Sequence, residues 1–256
     1  MERFFRESAA VAQGELIKLI RDPTEMFSRA VQPVLWLVVF GQVLAHVRGI
    51  YTGEIGYLAF LTPGILAQSV LFSAIFYGIA VIWERDLGVV HKMLVSPARR
   101  VSLVFGKAVS AGFRGIVQTA VIYVIAIVMG IAIRTDPLAI AGVLASVMLG
   151  SGLFSTFSLI IACIVKTRER FMGIGQVLTM PIFFASNAIY PLSLMPEWLR
   201  AVSHLNPLTY EVDALRMLML SSGQSDYGLP LDFAVLLGTA AALTAVASKL
   251  YARMGY

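Results

Sequence analysis

Residues able to do chemistry are few in this chain, and their spacing rules out most reactions. A phosphate loop needs G-x-x-x-x-G-K-[ST], in which backbone N–H groups and the lysine cradle the anion. Gly106-Lys107 is followed by Ala108, and Val101 stands at the first glycine position, so the loop is incomplete. His46, His91 and His204 are far apart, and the single cysteine, Cys163, sits in an apolar run. Neither pattern has metal-ligand spacing, and no G-x-S-x-G elbow is present. Acidic residues are missing from the middle of each long apolar stretch, which speaks against a carboxylate proton relay. No cofactor, metal or enzymatic step is therefore expected in this chain, and its energy source is expected elsewhere.

Two clusters and one isolated charge remain. The first cluster runs over 84–100 and holds Glu84, Arg85, Gly88, Leu94, Ser96, Pro97, Arg99 and Arg100. Leu87, Val90, Met93 and Leu94 fall on one helical face, and Gly88 is small enough for close approach to another surface. Ser96-Pro97 ends that helix, because proline disfavours helical geometry in the residue before it. Such a helix either transmits force from a cytosolic partner or anchors the loop, its basic residues on lipid headgroups.

The second cluster runs over 191–220, from Pro191. Pro196 suits a helix's first turn, and Trp198, Leu199, Val202 and Leu205 form an apolar face. Asn206-Pro207 is a turn signal. Leu208, Val212, Leu215 and Leu218 share a face of a second helix that is too short to span. Asp213 and Arg216, three apart, are spaced to pair. This predicts an external hairpin dipping into the outer leaflet, in the simplest case a cap over helix ends. The isolated charge is Arg114, roughly 9–10 Å inside an apolar stretch. It either snorkels to the headgroups or faces an anionic or amphiphilic substrate.

The elements that must position these residues are membrane helices. Of 256 residues, 58% are hydrophobic and only 14% charged; mean hydropathy is +0.81. Soluble domains carry about 25% charged residues. The predicted fold is all-α and integral to the membrane, with six spans at 30–47, 57–83, 108–133, 137–165, 171–190 and 229–251. Helices are required because hydrocarbon leaves no partner for free backbone groups. Residues 3–21 carry Arg6, Glu7, Glu15 and Lys18, so they lack the apolar core of a signal peptide. With Phe5, Ala9, Ala12, Leu16 and Leu19 on one face, they predict a helix lying in the interface. Gly142, Ser146 and Gly150 repeat at four-residue steps, a pattern for close helix packing. Fifteen Lys and Arg fall on one side of this topology and four on the other, which puts both termini in the cytosol. The net charge of +5 is thereby topological bias and not a nucleic-acid footprint.

The order of these features resembles the membrane subunit of type-2 ABC exporters. The residues that carry the resemblance are Glu15-Leu16, Arg21-Asp22-Pro23, Phe60-Leu61 with Pro63-Gly64, and the Glu84-Arg85…Gly88 helix with Ser96-Pro97 and Arg99-Arg100. Tyr190-Pro191-Leu192, Met195-Pro196, Trp198-Leu199 and Asn206-Pro207-Leu208-Thr209-Tyr210 continue it, ending on Asp213-Ala214-Leu215-Arg216. The drug-resistance, daunorubicin-type permeases look most similar, with nodulation-factor and polysaccharide permeases as relatives. The resemblance implies a dimer with a second permease copy, identical or related, and two cytosolic ABC ATPase subunits that carry the ATP and Mg. It also implies a multi-pass protein of a bacterial or archaeal inner membrane, with 84–100 as a coupling helix and the hairpin as an external gate region. The implied substrate is hydrophobic or amphiphilic: a drug, a lipid or a lipid-linked glycan moved outward. A stand-alone ion-coupled secondary carrier is the alternative.

Overall fold

The structure, a computed structural model, describes residues 2–21, 31–45, 55–95, 99–165 and 167–251. Asp22-Pro23, the ends of the first apolar stretch, Ser96-Pro97 and the basic residues Arg29, Arg48, Lys166 and Arg253 lie outside them. Among the described residues the chain is almost wholly helical, and its one extended pairing is an antiparallel bridge between Ile133 and Leu220. In chain order the helices are α1 (Glu2–Arg21), α2 (Val31–Ala45), α3 (Tyr57–Asp86), α4 (Val89–Val95), α5 (Arg100–Val128) and α6 (Pro137–Ile164). They continue as α7 (Arg168–Phe184), α8 (Glu197–Leu205), α9 (Pro207–Met219) and α10 (Leu229–Tyr251).

Four of these, α3, α5, α6 and α10, are long and apolar enough to cross a membrane. The sequence pattern predicts six spans, and the remaining two stretches form shorter helices. α2 is Val31–Ala45, with a π-helical turn at Trp36–Gly41. α7 has 17 residues. It opens on Arg168, Glu169 and Arg170, carries Pro181 near its end, and gives way to turns through Tyr190. Where the sequence places a loop at 84–107, the structure has helix at both ends: α3 continues through Asp86 and α5 starts at Arg100. The α5 helix stops at Val128 and Gly130 follows with φ +71°, a conformation that glycine adopts without strain. The chain then crosses to the hairpin, where Arg134 N donates to Met219 O at 2.7 Å. Asp136 caps α6, accepting from Ala139 N at 3.1 Å, with Pro137 in the first turn.

α3 is the central post. It is buried on every face from Phe60 to Leu71 and touches α2, α5, α6, α7 and α9. α6 packs along α3, α5 and α10. α10 is apolar all round, yet the protein covers little of it, so most of its surface is left to lipid. Small residues set the spacings. Gly142 and Gly150 of α6 receive Leu218 and Glu211 of α9. Gly106 of α5 lies against Val11 and the Ser8 carbonyl of α1. Gly78 N donates to Ser158 Oγ at 3.0 Å, joining α3 to α6.

α1 packs on α5 through a partly polar face, and the predicted apolar face is only partly covered by it. Ser8, Ala12 and Glu15 are buried against α5, while Phe5 and Ala9 face outward. The cause is local: Gly106 admits the α1 backbone, Ser8 Oγ donates to Ser102 O at 3.2 Å, and Glu15 is drawn to a buried lysine described below.

Gly64 tests this account of close packing. A Cβ there would sit 2.2 Å from the Ala188 carbonyl oxygen, a backbone atom that cannot swing aside. Gly64→Ala should destabilise by about 1–3 kcal/mol, the usual cost of overpacking. Gly14→Ala, which meets open space, should be neutral or stabilising by up to about 1 kcal/mol. Thermal unfolding of the detergent-solubilised chain reads both; equal shifts in the two variants would contradict the packing.

Candidate functional site

The 84–100 cluster is built on a buried ion network. Lys107 Nζ of α5 donates to Glu84 Oε2 of α3 at 2.6 Å and lies 3.7 Å from Glu15 Oε1 of α1. Lys18 Nζ completes it, 2.7 Å from Glu84 Oε1 and 3.0 Å from Glu15 Oε1. The Lys107 side chain is only 2% exposed. Two acids and two lysines balance, which is the condition for holding charge inside a protein. Burial alone would lower the Lys18 ammonium's pKa, but Glu84 and Glu15 hold it above its ordinary value. Toward the membrane interior the Tyr77 ring lies 5.6 Å from Lys107 Nζ and 4.9 Å from the Arg114 guanidinium. Arg114 is half-buried, resting on that aromatic face.

A second set of contacts holds the end of α3 on its other side. Arg85 donates to Val165 O at 3.2 Å and pairs with Asp86 at 3.3 Å. Arg168 pairs with Asp86 at 3.2 Å, its guanidinium 3.8 Å from the Trp83 ring centroid. The last turn of α3 is thus tied to α1, α5 and the α6–α7 junction. From it the chain turns at Leu87-Gly88, with Gly88 at φ +72°, into α4. A Cβ on Gly88 would meet open space, so this glycine serves the turn conformation. Val90 is buried under α4, His91 faces out, and Leu87 and Val95 are 70% and 76% exposed. Leu94 lies on α4, and Ser96 and Pro97 lie outside the described residues. Beyond them Arg99 N donates to Glu7 Oε2 of α1 at 3.0 Å, while the Arg99 and Arg100 side chains are exposed. Both ends of the segment are therefore anchored, and α4 holds apolar side chains outward between them.

The hairpin cluster lies at the other end of the helices. Pro191 and Pro196 flank a single 3₁₀ turn before α8, whose Trp198, Val202 and Leu205 are exposed. Asn206 joins three elements: its Oδ1 accepts from Leu208 N at 3.0 Å, and its Nδ2 donates to Ile182 O near the end of α7 at 2.6 Å. Pro207 opens α9 in the usual first-turn position. Asp213 and Arg216 do not pair with each other. The Asp213 carboxylate accepts from Ser225 Oγ at 2.5 Å, Asp226 N at 3.0 Å and Tyr227 N at 3.1 Å. Arg216 donates to Asn187 O at 2.7 Å and stacks 3.9 Å from the Phe60 ring centroid. Each binds its own loop across the helix, which is a stronger use of a buried charge than a partner on the same face.

Sequence reasoning missed four participants. Lys18 carries no motif, nothing in the motifs that hold Glu15 and Gly106-Lys107 points to an ion network, and only the packing of α1 on α5 brings the three to Glu84. Glu211 is fully buried against Gly150, and its carboxylate has no hydrogen-bond partner among the described residues. Burial pushes its pKa well up from the ordinary carboxylate value. Among the described residues no group of three His, Cys, Asp or Glu side chains is placed to hold a metal ion.

Comparison with known proteins adds an independent line. Residues 6–220 match the family described as ABC-2 type transporter. The chain is 30% identical to the ycf38 transport permease of Cyanophora paradoxa over 217 residues, 84% of this chain and 74% of that protein. It is 23% identical over 230 residues to the daunorubicin resistance ABC transporter permease protein DrrB1 of Streptomyces coeruleorubidus, covering 90% and 80%. It is 25% identical over 191 residues to nodulation protein J of Rhizobium leguminosarum bv. trifolii, covering 74% and 71%.

The ion network makes a graded prediction. Lys107→Met strands two buried carboxylates with one partly exposed lysine and should cost about 3–5 kcal/mol. Lys18→Met removes a half-exposed partner and should cost no more than about 1 kcal/mol. Adding Glu84→Gln to Lys107→Met should restore part of the loss. A thermal-unfolding double-mutant cycle measures all three, and additive effects would refute the pairing.

Proposed function

The chain belongs to the ABC-2 type transporter family and is a membrane permease subunit, and from that premise we propose that it forms half of an ATP-driven export pathway. Two copies, or this chain and a related one, enclose the path. Separate ABC ATPase subunits, carrying ATP and Mg, dock on the α4 side. The shorter α2 and α7 complete six membrane-embedded segments, with both termini in the cytosol of an inner membrane. The substrate is hydrophobic or amphiphilic, a drug, lipid or lipid-linked glycan, and it leaves past the α8–α9 hairpin.

One observation carries this reading: the turn before α4 holds Leu87 outward and the end of α4 holds Val95 outward, from a joint whose parent helix is tied to α1, α5 and the α6–α7 junction. An apolar patch of this kind suits a groove on a partner, and the ties let a push on α4 reach several helices together. Glu84 and Arg85 act in this scheme through those ties, turned inward rather than toward the ATPase. Arg99 and Arg100 close the segment on the far side. At the other end, Asn206 and Asp213 fix the hairpin to α7 and to the 225–227 loop, so movement of the helices is passed to the outer gate.

Two experiments test the reading. An ABC ATPase should copurify with the chain, and reconstituted vesicles should export only with ATP. A chain pumping alone on a proton or sodium gradient would replace the proposal with a secondary carrier. Within the complex, Gly88→Val places a β-branched residue at φ +72° and should abolish export while insertion is unchanged. Gly88→Asn, which tolerates that conformation, should retain most of it. Full export by the valine variant would remove α4 from the coupling path.

A further inference from the structure

One face of α3 carries Gln68, Ser69, Phe72, Ser73 and Phe76, and with Gln32 and Pro33 of α2 it walls a cleft of about 200 Å³. Gln68 is 3% exposed and Ser73 6%, so both are held inside the protein. Ser73 Oγ is buried with no hydrogen-bond partner among the described residues, and Gln68 lines the cleft beside it. Ser69 Oγ donates to Ile65 O at 2.8 Å and keeps its acceptor capacity. Buried polar groups without partners are costly, and within a membrane protein they mark a place where something else supplies the bonds. Phe72 and Phe76, with ring centroids 6.4 Å apart, add aromatic surface beside them.

The chemistry of the lining limits the ligand. Every described lining residue is neutral, so a charged group entering here would lose its water and find no counter-ion among them. An amide and hydroxyls next to aromatic rings match a flat or chair-shaped ring that bears hydroxyls. The size agrees: a cavity of about 150 Å³ takes a benzene molecule, and this one has room for a single substituted ring. We infer that the α2–α3 cleft binds the hydroxyl-bearing ring, sugar or phenol, of an uncharged amphiphile. Gln68 and Ser73 hydrogen-bond its hydroxyls, Phe72 and Phe76 cover its face, and its apolar tail runs into lipid. Calling that ligand the substrate rests on the export reading above; the binding itself does not.

The test is photolabelling of the full chain in lipid nanodiscs. The probes are octyl glucoside and octylphenol, each with a diazirine at the ring end, beside a diazirine-bearing octyltrimethylammonium. Either neutral probe should label peptides containing Gln32–Phe76, and which one labels separates the sugar from the phenol. Gln68→Leu should weaken that labelling about tenfold, equivalent to about 1.4 kcal/mol. Ser73→Ala, a one-atom deletion, is the second variant and should weaken it in the same direction. Labelling spread evenly over the lipid-facing surface of α10 and unchanged in both variants would overturn the inference. Equal labelling by the cationic probe would overturn the uncharged class. Neither ATP nor an ATPase is needed, so failure of an ATPase to copurify leaves a positive result standing. Copurification with unfocused labelling fells this inference alone.

Discussion

The arrangement of the helices depends on how a lysine and a glutamate share a site with almost no water. Lys107 and Glu84 are both buried, 2.6 Å apart, on helices otherwise apolar enough to cross a membrane. Neither charge is tolerable alone. Their pairing fixes the register of α3 against α5. Glu15 and Lys18 then give α1 a reason to lie across the same point, and with α1 in place Glu7 reaches the backbone at Arg99. Removing the pair would leave the helices their apolar contacts but not their axial alignment, because apolar surfaces slide where ion pairs do not.

The hairpin follows the same logic with different chemistry. Two of its charged residues are held by neighbouring loops and rings: Asp213 by two N–H groups and a hydroxyl, Arg216 by a carbonyl and an aromatic face. α9 is therefore buried along its length despite Glu211, Asp213 and Arg216. Glu211 is the exception, packed against Gly150 with no hydrogen-bond partner among the described residues.

Much of this was legible in the sequence wherever the cause was local. Asp136-Pro137 and Asn206-Pro207 announce helix starts by capping chemistry. The ordered motifs from Glu15 to Arg216 were enough to point to the family. Legibility failed where distant residues decide. Arg99, Arg100 and Lys107 look like a loop because three cations in nine residues resist burial, and only Glu84 and Glu15 make Lys107 a helix-interior residue. The packed side of α1 is hidden in the sequence for the same reason: Glu15 belongs to it because Lys107 is there. At the span predicted over 171–190 the structure has α7, a helix of 17 residues that carries Pro181 and stops at Phe184.

α3 deserves a last thought as a single rigid object. Its 30 residues reach about 45 Å at 1.5 Å each, against hydrocarbon about 30 Å thick. Even with tilt, a stretch of it stands outside the lipid tails. The ionic anchorage and the neutral cleft are thus mounted on one rod, separated by little more than two helical turns between Phe76 and Glu84. Pro63 interrupts the rod near its start, but no proline lies between Gln68 and Glu84, so a small rotation at its projecting tip is carried along that stretch, and a guest lodged beside Gln68 would feel it as a change in the walls around it.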